Sequence, residues 1–250
     1  MKTNTQITET IAAFASEAES NWIAEQLPLE DRALTLAFVK ASRFISKKRI
    51  NEGPFLDWTL DQVVRLALLI RLDEKQLDVL FETAEMQEAI ALTKALPFLS
   101  NPDRFLLRAT DAVRSNMGLV FDAIAFGNTY PHDYFSEAAW NQMVLKCIFN
   151  DKAIHQIIGL EERANQDLAN TLSDFAHERW AAGRRVPSQV WRLIPRFMND
   201  VLRADVDKLA KSENPRDILA ASLVKQEAQI PGSTQGLWHE LELSEPIYTA

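Results

Sequence analysis

FSEAAWNQMVLKCIFNDKAIHQIIGLEERANQDLANTLSDFAHERWAAGRR, residues 135–185, decides the fold class. Its first part carries Ala138, Ala139, Trp140, Met143, Val144, Leu145, Cys147, Ile148 and Phe149, apolar almost all round a helix near 134–149. That pattern predicts a helix covered on every face. A connector with a helical turn at 152–158 and one glycine, Gly159, follows. Then comes an amphipathic helix near 165–182, on which Leu168, Leu172, Phe175, Ala176 and Arg179 share a face. Gly183 is placed to end it with positive φ.

The same punctuation continues outward in both directions. Upstream, Ile7, Ile11, Phe14, Ala18 and Trp22 predict a first helix over 6–27, broken by Pro28. A second opens at Glu30 and Asp31 and closes at Lys47, Lys48 and Arg49, with the stripe Leu34, Phe38, Ala41 and Ile45. Thr59 with Gln62, and Asp73 with Gln76, read as capping boxes opening helices at 60–71 and 74–84. Helices at 86–96, from Asn101-Pro102 to about Ser115, and at 117–126 complete the first half. Downstream, Pro187-Ser188 opens a short helix stopped at Pro195, and helices at 199–211 and 215–228 follow. Residues 230–250 lack helical periodicity and are expected as an extended strap or tail, with Trp238, Leu241, Leu243, Ile247 and Tyr248 available to pack.

Ten or more helices with short connectors and no strand pattern make the chain all-α. Stacked antiparallel pairs would give an α-solenoid of the HEAT-like kind, with a globular helical bundle as the competitor. No long linker interrupts the 250 residues, which points to a single domain over 1–250.

Composition narrows function. The net charge of −8 opposes non-specific binding to nucleic acid. One cysteine, Cys147, excludes an internal disulfide and suits an inert core thiol. The N-terminus lacks the pattern of a signal peptide, and the strongest apolar run, 66–70, is too short to span a bilayer, so the expectation is a cytoplasmic protein.

The polar residues that need a reason lie in the opening stretch. Asn141, Gln142 and Lys146 sit on the apolar helix, where each costs free energy unless hydrogen-bonded. Asp174, His177 and Glu178, with Arg179 beside them, form an Asp-x-x-His-Glu set that can orient an imidazole or hold a cation. It supplies too few ligands for a metal centre, and no cofactor motif is present, so neither metal nor cofactor is expected. Over 139–199 eight basic residues stand against six acidic ones, and Arg184, Arg185, Arg192 and Arg196 suggest a positive rim for an anionic ligand or acidic partner.

Three segments, AWNQMVLK at 139–146, IGLEERAN at 158–165 and DFAHERWAAGR at 174–184, resemble the EboA family. The resemblance implies a protein of ebo gene clusters, whose neighbours include a UbiA-type prenyltransferase, a TatD-like hydrolase and sugar-phosphate-cyclase-like enzymes. Such clusters make or export a small secondary metabolite, including precursors of the pigment scytonemin. The resemblance carries over no catalytic residue. The absence of any strong catalytic constellation then favours a helical scaffold or adaptor without catalysis of its own, docking a cluster enzyme or a small metabolite on a concave face. The alternative is a small-molecule-binding protein or enzyme whose pocket is lined by Asn141, Lys146, Asp174, His177 and Arg179. A HEAT-like nucleic-acid module stands third.

Overall fold

The computed structural model describes residues 2–234 and 236–244. Among them every regular element is helical, and the one extended pairing is an isolated bridge between Arg49 and Thr59. The fold is all-α. The chain divides into two compact units, Met1–Ile124 and Ala125–Ala250.

The first unit holds α1 (Lys2–Phe14), α2 (Glu17–Gln26), α3 (Asp31–Phe44), α4 (Leu60–Leu69), α5 (Glu74–Thr83), α6 (Met86–Ala95), α7 (Leu106–Arg114) and α8 (Gly118–Ala125), at whose end the division falls. Its enclosed element is α4, which packs on α1, α3 and α6 and buries Leu60, Val63, Val64, Leu66, Leu68 and Leu69. Arg65 is buried with them. Its guanidinium donates to Phe38 O at 3.2 Å and to Asp61 Oδ2 at 3.3 Å, so the charge is paired where burial would otherwise expel it. Both expected capping boxes form their reach-back bonds, from Thr59 N to Gln62 Oε1 at 3.1 Å and from Asp73 N to Gln76 Oε1 at 2.9 Å.

One expected element is two. The helix over 6–27 breaks at Ala15-Ser16, because Ser16 and Glu19 build a capping box of their own and start α2 there. The helix expected to run to Arg49 stops at Phe44, and the chain beyond it goes extended into the Arg49–Thr59 bridge.

The second unit holds α9 (Tyr130–Tyr134), α10 (Glu137–Phe149), α11 (Gln166–Ala181), α12 (Asp200–Leu209), α13 (Pro215–Gln229) and α14 (Leu237–Leu243), with tight 3₁₀ turns at Ser188–Leu193 and Pro195–Phe197. Trp140, Met143, Val144 and Cys147 of α10 are fully buried. Gln142 and Phe149 are exposed, so α10 has one wet face, contrary to the all-round cover its composition suggests. The segment expected as an extended strap contains α14, which buries Trp238 and Leu241 against Ser188–Leu193 and α13. A helix of seven residues is too short for periodicity to show. Ile247 and Tyr248 lie outside the described residues. Among the described residues no helix is long and apolar enough to cross a membrane.

Glu19 ties α2 to the end of α3: its carboxylate accepts from Ser16 N at 2.8 Å and Ser46 N at 2.7 Å. Burial alone would raise its pKa, but the hydrogen bonds from Ser16 and Ser46 outweigh that and lower it to about 2. A lowered folded-state pKa contributes stability that is complete above the ordinary carboxylate value and disappears as pH falls through about 2. Thermal melts should therefore show the wild type losing more stability than Glu19→Gln as pH is taken down from the usual 4.5 toward 2. Parallel curves for the two proteins would show that the Glu19 bonds contribute nothing.

Candidate functional site

The connector at 158–165 is built from side chains that each close a specific gap. Gly159 has φ +75°, and a Cβ there would stand 2.1 Å from the His132 ring, so only glycine lets the ring lie against the backbone. His132 Nδ1 is 2.7 Å from Asp133 Oδ1 and its Nε2 is 3.1 Å from Glu162 Oε2. The Asp133 hydrogen bond, with help from Glu162, raises the His132 pKa against the opposing effect of burial. Arg163 donates to Pro131 O at 2.6 Å, His132 O at 3.1 Å and Phe135 O at 2.7 Å, closing the carbonyls around the end of α9. Its guanidinium also lies 4.8 Å from the Trp140 ring centroid.

Asn165 is the N-cap of α11, its Oδ1 accepting from Leu168 N at 2.9 Å. The same side chain exchanges two hydrogen bonds with Asn141, at 3.0 and 2.7 Å. Asn141 is thus a clamp from α10 to the start of α11, made through the capping side chain and not through helix backbone.

The other expected site residues separate. Gln142 is exposed and Lys146 half-buried on α10. Asp174 and Glu178 are exposed on α11, and Asp174 does not orient the imidazole. His177 Nε2 instead lies 2.5 Å from Oδ1 of Asp205, a buried residue of α12 whose Oδ2 accepts from Ser173 Oγ at 2.6 Å. With Asp205 as a carboxylate, Nε2 carries the proton. Arg179 is tied to backbone: its Nε donates to Arg185 O, its guanidinium lies over the Phe175 ring, and its backbone oxygen accepts from Arg184 N at 2.8 Å. The contacts that fix Asn141, His177 and Arg179 are with Asn165, Asp205 and Arg185, all outside the expected set.

Asp205 had a readable signal. It occupies an apolar-stripe position among Leu202, Val206 and Leu209, where an acid needs a buried partner. Trp238 had none, since it lies in a stretch without periodicity.

Among the described residues of the second unit, side chains gather around a cavity and a groove. A cavity of about 420 Å³ is walled by the connector acids Glu161 and Glu162, by Arg192, Leu193, Pro195, Arg196 and Phe197, and by Glu227, Thr234 and Trp238. Arg192 is held there by Glu161. Glu227 fastens the chain that closes the cavity, accepting from Gly232 N, from Thr234 N at 3.1 Å and from Thr234 Oγ1 at 2.7 Å. Burial would raise the Glu227 pKa, but those bonds and the nearby Arg196 hold it below the usual carboxylate range. A wider groove of about 990 Å³ is lined by Trp180, Arg184 and Arg185 and by one face of α12. The four arginines of the expected rim therefore divide, two to each hollow. None of the seven expected residues lines either one. Among the described residues no three His, Cys, Asp or Glu side chains are grouped to hold a metal ion.

A family model described as "Metabolite traffic protein EboA" matches residues 43–195, more than half of the chain. No curated protein and no solved structure matches.

Two outcomes test the connector. Gly159→Ala should lower unfolding free energy in urea by about 1–3 kcal/mol, from strain at positive φ and displacement of His132; an unchanged midpoint would refute the close approach. The raised His132 pKa gives a stabilisation present below the ordinary histidine value and lost as pH rises through the folded-state value. Wild type should therefore lose melting temperature across that rise, and His132→Gln should not.

Proposed function

The chain belongs to the EboA family, and from that membership we propose that it works in metabolite traffic as a non-catalytic adaptor that binds a small metabolite in the partly open cavity of its second unit. The observation that carries this reading is the cavity itself. Its volume of about 420 Å³ falls in the range of roughly 300–1,000 Å³ that small-molecule sites occupy. Its walls set an indole and a phenyl ring, Trp238 and Phe197, beside the guanidinium groups of Arg192 and Arg196. Apolar plates give such a site affinity and the few charged groups give orientation.

The arrangement of Ser173, Asp205 and His177 supports binding over catalysis. A nucleophilic serine needs its hydroxyl bonded to the imidazole that takes its proton. Here the hydroxyl donates to the carboxylate instead. The enzymes that receive or supply the metabolite would be those of the same gene cluster, the UbiA-type prenyltransferase and the TatD-like hydrolase among them. The adaptor would bring the compound to them in the course of making or exporting the secondary metabolite.

Native mass spectrometry of the purified protein after incubation with an extract of cluster-expressing cells tests this. Wild type should retain a small molecule. Arg196→Glu, a change at an exposed cavity residue, should weaken retention by about tenfold or more, and Arg196→Gln, which sets no new acid beside Glu227, should weaken it in the same direction with a smaller fall in melting temperature. Retention of nothing beyond what an unrelated helical protein holds would sink the reading.

A further inference from the structure

The wide groove faces a different set of elements from the cavity, and its chemistry is different. Trp180 forms one wall, the turn through Gly183, Arg184 and Arg185 a second, and Ala204, Asp207, Lys208 and Lys211 of the α12 region a third. The spacing of those last four is that of a single helix face. Four cations, Arg184, Arg185, Lys208 and Lys211, share the groove with two acids, Asp207 and Asp217. Both acids are occupied. Lys225 Nζ donates to Asp207 Oδ1 at 2.8 Å, and that bond holds the Asp207 carboxyl below its usual range. Asp217 accepts from Ser212 Oγ at 2.8 Å. A chain with a net charge of −8 thus carries a concave surface of the opposite sign.

The aromatic wall is held in place. Trp180 stacks on the fully buried Trp191, with ring centroids 5.7 Å apart and planes 18° from parallel. The His177 ring packs against it at 5.6 Å and is itself fixed by buried Asp205. Lys208 Nζ lies 3.8 Å from the centroid of the Trp180 ring. An anion that meets this ammonium group brings whatever it is attached to against the indole. The turn is braced from behind, where Arg179 Nε holds Arg185 O and Arg184 N donates to Arg179 O.

We propose that this groove is a second ligand site, taking a small organic anion with a planar ring: the carboxylate or phosphate meets Lys208 and Arg184 while the ring lies along the part of the half-buried Trp180 indole that Trp191, His177 and Lys208 leave uncovered. The site is independent of the cavity, because the two hollows share no lining residue.

Isothermal titration of the full chain with phenyl phosphate, benzoate, inorganic phosphate and a glutamate-rich peptide tests it. At least one aromatic anion should bind, and the tighter of the two identifies the anionic group the groove prefers. Inorganic phosphate, lacking a ring, should bind about tenfold more weakly than phenyl phosphate or not at all. Lys208→Ala and Arg184→Ala, both at exposed positions, should each weaken the aromatic anion by about tenfold with melting temperature unchanged. Arg196→Glu should leave this binding as it was, so failure here and failure of the cavity reading are separable. The proposal is overturned by an absence of binding at millimolar concentration, by affinities indifferent to both alanine variants, or by binding of the acidic peptide alone, which would make the groove a protein-docking surface.

Discussion

The guanidinium of Arg163 is the constraint from which the geometry of the second unit follows. A short helix such as α9 leaves carbonyl groups at its end with no partner in the helix, and buried carbonyls cannot be left to water. Around the end of α9 three carbonyls, on Pro131, His132 and Phe135, accept from one planar side chain, and the first of them also accepts from Phe135 N. Arginine can do this because its donors diverge in a fixed plane, whereas a lysine ammonium offers a point charge. The face of that plane then covers Trp140, so the hydrogen-bonded group and the apolar core are held by the same residue. Two residues later Asn165 is set where it can cap α11 and bond Asn141. The start of α11 is fixed in this way, and with it the positions at which His177 and Trp180 emerge.

Buried charge follows the same logic elsewhere in the chain. In the first unit Arg65 serves Phe38 O and Asp61 inside an almost wholly buried helix. In the second, Asp205 is buried and finds both a hydroxyl and an imidazole. Removing one partner from such a group is costly because the other remains desolvated, while its net contribution when paired is modest. The consequence for the surface is indirect. Acids near the groove are already engaged: Asp205 by Ser173 and His177, Asp207 by Lys225, Asp217 by Ser212. Four basic and two acidic side chains line the groove, so basic groups outnumber acidic ones there although the chain as a whole is acidic.

Helix type and most boundaries were legible because they depend on local chemistry. The box at Asp73 and Gln76, the stop at Gly183 and the cap-then-proline at Asn214-Pro215 all act within a few residues of chain. Where a second local signal competed, the first was misread. Ser16 with Glu19 is as good a start as Thr59 with Gln62, yet apolar spacing across it suggested one continuous helix. The candidate site was legible only in part. Asn141 stood out as an amide on an apolar helix, and its partner lies 24 positions away. His177 stood out too, but the acid one turn before it, Asp174, is exposed, as is the adjacent Glu178, while the acid that binds it is 28 positions on. Spacing along one helix shows which side chains share a face. It does not show which face of which other helix arrives there.

That difference decides what the histidine touches. Spacing along α11 pairs the imidazole with an acid of its own helix. Fixed by buried Asp205 instead, His177 has its Nε2 committed and its ring plane set, and its flat surface is laid against Trp180. Trp180 in turn rests on Trp191 and receives Lys208. The order of contacts runs from a buried carboxylate, through two rings, to an ammonium group at the mouth of a groove. Each member removes rotational freedom from the next, so the lysine is positioned before any ligand arrives, and less entropy is lost on binding than a solvated lysine would lose. The imidazole in this chain thus joins buried Asp205 to the Trp180 ring, with its Nε2 engaged by the carboxylate.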